Sequence, residues 1–263
     1  MIDLPPSLVF ERRDDVAVLT LNRVEKRNAL DDDTVLALGA FFAAPPEWTK
    51  VAILAAAGPH FSAGLDLSEL IDQDAVAGLH HSRRWHEAFA RIESGTVPVV
   101  AVLKGAVIGA GLELAASAHL RVAEDSAFFA LPEGQRGIFV GGGAAVRVPR
   151  LVGVHRMMDM MLTGRVLDAD EGERLGLAHY RVADGAGLDK ALQLAATVAG
   201  NSPVTNYAVL HALPRIAAAP AETGLLLESL MAAVSQTSKE AQDRMAAFLA
   251  GRAPKVPAPG EEP

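Results

Sequence analysis

The stretch "GAVIGAGLELA" (residues 105–115) sets three glycines within seven positions and then places Glu113 between Leu112 and Leu114. It follows "VPVVAVLKG" (97–105), a short continuous apolar run of the kind that forms a strand buried on both faces. A buried strand, a glycine-rich turn and a helix start, in that order, predict one crossover unit of an α/β sheet. A carboxylate set into an apolar helix start is costly unless it is hydrogen-bonded, neutralised or put to use. The turn also leaves a helix N-terminus near Ala110 with backbone N–H donors free to face a ligand.

Working outward, "VAILAA" (51–56) repeats the buried-strand pattern. Ahead of it, "LVFERR" and "VAVLTLN" read as two strands around a turn at Asp14–Asp15. "ALDDDTVLALGAFFAAPP" then reads as a helix with aspartates at its start and a Pro45–Pro46 stop. "LRVAEDSAFFALPE" (120–133) predicts two further strands around Glu124–Asp125. Beyond Gly143 the pattern is mostly helical, interrupted by one short strand in "GLAHYRVADG". Helices are predicted over 187–200, 203–215, 221–235 and 237–250, with "NSP" and "AAPAET" as punctuation. The expected organisation is a core over 1–200 and a helical region over 201–263, its Pro-rich tail disordered past Val256.

Composition removes whole classes of function. A net charge of −8 over 263 residues, with no long basic run, argues against nucleic-acid binding. The absence of cysteine excludes disulfides, thiolate metal sites and cysteine nucleophiles. The eight histidines show no H-x-x-x-H or H-E-x-x-H spacing, so no metal site is expected. No signal peptide is expected at the N-terminus, and the apolar runs are too short to span a bilayer, so a soluble, cytoplasmic protein without membrane contact is expected.

Four positions could carry chemistry. The loop "HFSAGLDLSEL" (60–70) runs from small residues into a helical-looking segment and frees backbone N–H groups at its turn. A serine-hydrolase elbow fails there because His60 stands where a glycine is needed. A dinucleotide fingerprint fails in 105–115 because Leu114 stands where a third glycine is needed. Two donor turns on neighbouring strands can instead aim two N–H groups at one oxyanion, and a thioester carbonyl becoming an enolate is a suitable occupant. Glu113, and Glu133 following Pro132 in "ALPEGQRG", would then act as an acid/base pair. "HHSRRWHEAF" (80–89) reads as an amphipathic helix, and "MMDMM" (157–161) as core.

"LNRVEKRNAL" (21–30), "HFSAGLDLSEL", "GAVIGAGLELA" and "FALPEGQRGIFVGGG" (129–143) together resemble, in order and spacing, the signatures of the enoyl-CoA hydratase/isomerase family, the crotonases. The resemblance runs from about residue 8 to residue 255. It implies a crotonase-like α/β spiral of ββα turns with a C-terminal helical trimerisation region, and a homotrimer or dimer of trimers. It places the oxyanion-hole N–H groups on Leu65 and Ala110, the latter where relatives carry the middle glycine of G-G-G. Both hydratase glutamates are matched, by Glu113 and Glu133. A CoA groove is implied along Lys26, Arg27 and Ala29 and along Ala63, Gly64, Asp66 and Leu67, with Lys26 and Arg27 as phosphate contacts. The implied reaction is syn-hydration of a 2-enoyl-CoA in fatty-acyl metabolism, with acyl-CoA as substrate and no metal or redox cofactor. Double-bond isomerisation, aldol-type cleavage of a hydroxyacyl-CoA and a non-catalytic acyl-CoA-binding subunit are the alternatives. Dienoyl-CoA isomerisation is disfavoured, since such relatives carry aspartate where Gly141 stands.

Overall fold

Strands β1 (Leu8–Arg13) and β2 (Val16–Leu21) form an antiparallel pair, Leu8 opposite Leu21, in a computed structural model that describes residues 4–70 and 74–252. Helix α1 (Asp32–Ala43) starts where the Asp31 side chain accepts the Thr34 N–H, an N-cap bond that satisfies one orphan donor. It leads to β3 (Val51–Ala56), which joins β2 in parallel. Helix α2 (Ala75–Glu93), β4 (Val99–Leu103), β5 (Ala106–Ile108) and α3 (Ala110–Ser117) follow. Next come β6 (Leu120–Glu124), β7 (Phe128–Ala130), α4 (Ala144–Val152) and α5 (Val154–Thr163). The two-residue strand β8 (Leu167–Asp168), α6 (Ala169–Leu175), β9 (Tyr180–Val182) and α7 (Gly187–Ala199) complete the first of two compact units, which ends at Ala199.

The larger sheet has the order β1-β2-β3-β4-β6-β9 and is parallel apart from β1. Its central strands β3 and β4 are apolar at every position because both faces are covered. Val16, Val18, Val51, Ile53, Val100 and Val102 pack toward Ala191 and Ala195 of α7. The alternate residues Ala17, Leu19, Ala52, Leu54 and Leu103 enter the main core with Phe42, Phe61 and Phe89. The smaller sheet, β5-β7-β8, contributes Val107, Phe129 and Leu167 to the same core.

Three local readings of the sequence are revised. The strand predicted over 97–105 forms as β4, but residues 106–108, read as part of a glycine-rich turn, form the separate strand β5. The two strands of 120–133 both form but enter different sheets, because β7 pairs with β5 and not with β6. The helical-looking "LDLSEL" is a single 3₁₀ turn, Leu67–Leu70. Its backbone stays extended as far as Asp66, whose N–H donates to Leu30 O in a bridge between Leu30 and Leu65.

The second unit begins at Gly200. Helix α8 (Pro203–Tyr207) passes through a π turn, Ala208–Ala212, into α9 (Leu213–Ala218). Helices α10 (Ala221–Thr237) and α11 (Lys239–Leu249) follow. Leu225, Leu226, Leu230, Val234 and Phe248 are exposed. The predicted disorder past Val256 lies outside the described residues. Among the described residues no helix is long and apolar enough to cross a membrane.

Candidate active site

The site forms where several parallel strands end on the same side. Ile108 of β5 is paired in register with Ala130 of β7, and Gly109 N–H donates to Ala130 O at 2.9 Å. The segments leaving these two strands therefore emerge side by side, one carrying Ala110 and Glu113, the other Glu133. The loop after β3 joins them through a parallel bridge between Ser62 and Val107. Ser62 N–H donates to Ala106 O, and Ile108 N–H donates to Ser62 O. Gly109 has φ 52°, and a Cβ there would lie 2.6 Å from Glu133 Oε1, so only glycine fits between the turn and that carboxylate.

The two turns leave matching donors. Neither Leu65 N–H nor Ala110 N–H has an acceptor among the described residues, whereas the neighbouring Gly64, Asp66 and Gly109 N–H groups are all bonded. The turns are close: the position a Gly64 Cβ would take lies 3.6 Å from Ala110 N. Ala110 is the first residue of α3, where N–H groups lack intrahelical partners and the helix dipole is positive. The pair can hold an oxyanion.

Glu113 and Glu133 flank the same cavity, which has a volume of about 320 Å³. Glu113 is only 3% exposed. Gly142 N–H donates to both of its oxygens at 2.9 Å, and Ala144 N–H, at the start of α4, donates to Oε1 at 2.9 Å. Burial raises its pKa; these N–H bonds and the charge of Arg147 oppose the rise. Glu133 is buried as well, and its Oε2 has no hydrogen-bond partner among the described residues. Burial above all, and then the charge of Glu113, push its pKa up to about 7, against the opposing effects of a bond from its own backbone N–H and of the Arg136 charge.

A brace holds the turn that serves Glu113. The buried Arg147 guanidinium donates to Gly142 O at 3.1 Å and to Glu93 Oε2 at 2.8 Å. Ser82 Oγ donates to Gly141 O at 2.6 Å. Glu93 and Ser82 both belong to α2, so that helix fixes the Gly141–Gly143 turn from outside.

Of the residues implied for substrate contact, Gly64, Leu65, Leu67, Ala110, Glu113 and Glu133 line the cavity. Lys26, Arg27, Ala29, Ala63 and Asp66 gather beside it: Ala63 N–H donates to Arg27 O, and Leu30 N–H donates to Gly64 O. Lys26 Nζ is 2.7 Å from Asp66 Oδ2, which Arg23 also meets at 2.9 Å. These bonds, with those from Ser68, hold the Asp66 carboxyl well below its ordinary range. Arg27 is exposed and has no ion pair among the described residues. The sequence reading missed Arg23, Arg147, the amides of Gly142 and Ala144, and His81 with Asp32. Only the "GGG" before α4 signalled any of them, as a helix start beside the pocket.

A family model described as enoyl-CoA hydratase/isomerase matches residues 11–257. The chain belongs to the enoyl-CoA hydratase/isomerase family. It is 31% identical to the 2,3-dehydroadipyl-CoA hydratase of Escherichia coli, over 94% of this chain and 97% of that one. It is 30% identical to the short-chain-enoyl-CoA hydratase of Clostridium acetobutylicum, over 94% and 95%. Among solved structures, one from Rhodopseudomonas palustris, described as a candidate enoyl-CoA hydratase, is 54% identical with a TM-score of 0.92, covering 95% of this chain and 97% of that one. The crotonase fold of the family is the fold described above.

Proposed function

We propose that the protein hydrates 2-enoyl-CoA thioesters to 3-hydroxyacyl-CoA. The observation that carries this reading is the pair of buried carboxylates with raised pKa values flanking two unbonded N–H groups. The N–H groups of Leu65 and Ala110 polarise the thioester carbonyl and hold the enolate oxygen. Glu113, its charge supported by backbone donors, takes a proton from water as the water oxygen bonds to C3. Glu133, with a pKa near neutrality, gives its proton to C2, and the proton on Glu113 returns to Glu133 through the next bound water. Both additions occur on one face. The reaction is redox-neutral, and the two N–H groups supply the polarisation that a metal would supply elsewhere, so the reading calls for no cofactor beyond the CoA carried by the substrate.

In this reading Lys26 and Arg27, with Ala29, Ala63, Gly64, Asp66 and Leu67, line the path of the CoA, and Arg27 is the cation left open for phosphate. The exposed apolar side chains of α10 and α11 fit assembly into a trimer or a dimer of trimers. One observation favours a second reading, double-bond isomerisation with Glu133 as the only base: its Oε2 has no partner among the described residues, whereas both Glu113 oxygens accept backbone bonds. The deciding experiment follows loss of the enoyl-thioester absorbance of crotonyl-CoA and, in parallel, conversion of 3-hexenoyl-CoA to 2-hexenoyl-CoA. Hydration is expected to be the faster; isomerisation much faster than hydration would replace the first reading with the second.

A further inference from the structure

Helix α2 presents a stripe of side chains at helical spacing, His81, Trp85 and Phe89, and all three are buried. The Phe89 ring lies against the Gly142 turn that holds Glu113, since a Cβ on Gly142 would be 2.9 Å from Phe89 Cε2. Trp85 comes next, its ring centroid 5.9 Å from that of Phe89. His81 follows, 5.2 Å from Trp85. With a rise of about 1.5 Å per residue, His81 sits about 12 Å along the helix axis from Phe89. The stripe therefore leads away from the carboxylates, and His81 and Trp85 line the same cavity as Glu113 and Glu133.

His81 is 6% exposed and is backed by a carboxylate. Its Nε2 lies 2.9 Å from Asp32 Oδ1, off the line of a good hydrogen bond and with no other partner. Asp32 also accepts Trp85 Nε1–H at 2.6 Å and Arg84 at 3.0 Å, so it is fixed on the first turn of α1. Although burial opposes it, these bonds and the nearby His81 hold the Asp32 carboxyl below its ordinary value. The Nε2 edge of the imidazole is thus turned to the protein wall. Its Nδ1 has no protein partner among the described residues.

A wall built only for an alkyl chain would do better with an apolar residue there. Much of the remaining lining is apolar, including Leu65, Leu67, Ile138 and Val140. Of the two ring nitrogens, the buried Nε2 is taken up by the Asp32 wall, and Nδ1 is the one left for a ligand in the cavity that His81 lines. With Nε2 facing a carboxylate, the neutral ring carries its proton on Nε2 and offers the Nδ1 lone pair; the charged ring offers Nδ1–H. A hydroxyl group serves both states, because it donates and accepts.

Resting on the hydratase reading, we propose that His81, backed by Asp32, is the recognition point for a hydroxyl group carried on the acyl chain beyond the reacting double bond, so that the preferred substrates are hydroxylated 2-enoyl-CoA thioesters. Trp85, which lines the same cavity, packs against the carbon chain between that hydroxyl and C3. His81 is a specificity residue and takes no part in proton transfer.

The test compares kcat/KM for matched pairs: 2-hexenoyl-CoA against 6-hydroxy-2-hexenoyl-CoA, and cinnamoyl-CoA against 4-hydroxycinnamoyl-CoA. Within at least one pair the wild type should favour the hydroxylated member by about tenfold or more, since a site built to bond a hydroxyl rejects the analogue lacking it. His81→Phe should abolish that ratio and His81→Gln should keep part of it, with circular dichroism confirming that both variants fold. A wild-type ratio near one in both pairs, or a ratio that survives both substitutions, overturns the proposal and leaves His81 a packing residue. Faster turnover of the matching ω-carboxylate substrate, lost in His81→Phe, overturns the choice of hydroxyl. Calorimetry with the unreactive hexanoyl-CoA and 6-hydroxyhexanoyl-CoA separates this proposal from the hydratase reading. A binding preference for the hydroxylated ester that His81→Phe removes supports recognition whatever the turnover; failure of all the enoyl esters to react refutes hydration alone.

Discussion

Glu113 rises from the first turn of α3 into a set of amide hydrogens, whereas Glu133, on the 3₁₀ turn after β7, ends in an oxygen that has no partner among the described residues. Both are buried, and burial raises the pKa of each. What differs is the compensation. Glu113 has Gly142 N–H, Ala144 N–H and the Arg147 charge; Glu133 has its own backbone N–H and the charge of Arg136, and feels the repulsion of Glu113. One carboxylate is held in place by donors, and the other is left to exchange its proton. Two residues of the same type, in one cavity, are prepared for different parts of one proton cycle by the backbone around them.

Replacing each carboxylate puts the greatest strain on that division. Glu113→Gln and Glu133→Gln should each lower hydration of crotonyl-CoA by about 10²–10⁴-fold. The double variant should lose far less than the product of the two, as for groups acting as a unit. Substantial hydration by Glu113→Gln would break the comparison, leaving Glu133 as the single working base.

The donor beside Glu113 comes next. Ala110→Pro removes one oxyanion N–H at a helix position that tolerates proline, and should cost roughly 10²–10³ in turnover. Ala110→Gly keeps the N–H and should stay active. Equal impairment of both would assign the effect to packing at residue 110.

A smaller effect should come from the brace. Arg147→Met removes the cation and the bond to Gly142 O, so the Glu113 pKa should rise further and the acid limb of the kcat profile should move to higher pH. A movement of one unit lowers the rate on that limb roughly tenfold. Glu133, Glu93, Arg150 and His86 are the other titrating or charged groups near this turn, and Arg147→Lys, which keeps the charge, should restore part of the profile. An unmoved limb would mean that the two amides suffice.

The smallest effect is on stability. Glu133 has a folded pKa of about 7 against an ordinary 4.5, so the folded state binds more protons between these values. Its contribution is therefore full below about pH 4.5 and is lost as pH rises through about 7. Thermal unfolding should show Glu133→Gln gaining on the wild type, by a few degrees, between pH 5 and pH 8. A pH-independent difference would put the Glu133 pKa near its ordinary value.

The sequence carried much of this and withheld a definable part. Buried strands were legible because β3 and β4 are apolar at every position, and Ala110 and Glu113 were legible because a glycine-rich turn frames them. Glu133 stood out through its proline and its place after a strand. The brace was not legible, since Arg147 and Glu93 are 54 positions apart and each alone reads as a solvated charge. Asp32 and Trp85 are 53 apart, and the aspartates before α1 read as a helix start, which they also are. Strand β5 was hidden because its three residues lie between Gly105 and Gly109 and read as part of the turn.

The pairing of Ile108 with Ala130 also sets how placement errors spread through the molecule. Ala110 and Glu133 each lie a few residues beyond that rung, so their separation is gauged from a shared reference and not along the helix and strand that connect them in the chain. Length changes in the exposed turn at Asp125–Ser126 would be absorbed before the rung is reached. A residue inserted at Leu131, downstream of it, would pass its whole displacement to the carboxylate. The tolerance of this catalytic centre to insertion is therefore uneven: wide over the distance the chain travels between its two halves, and less than one residue over the last steps to each.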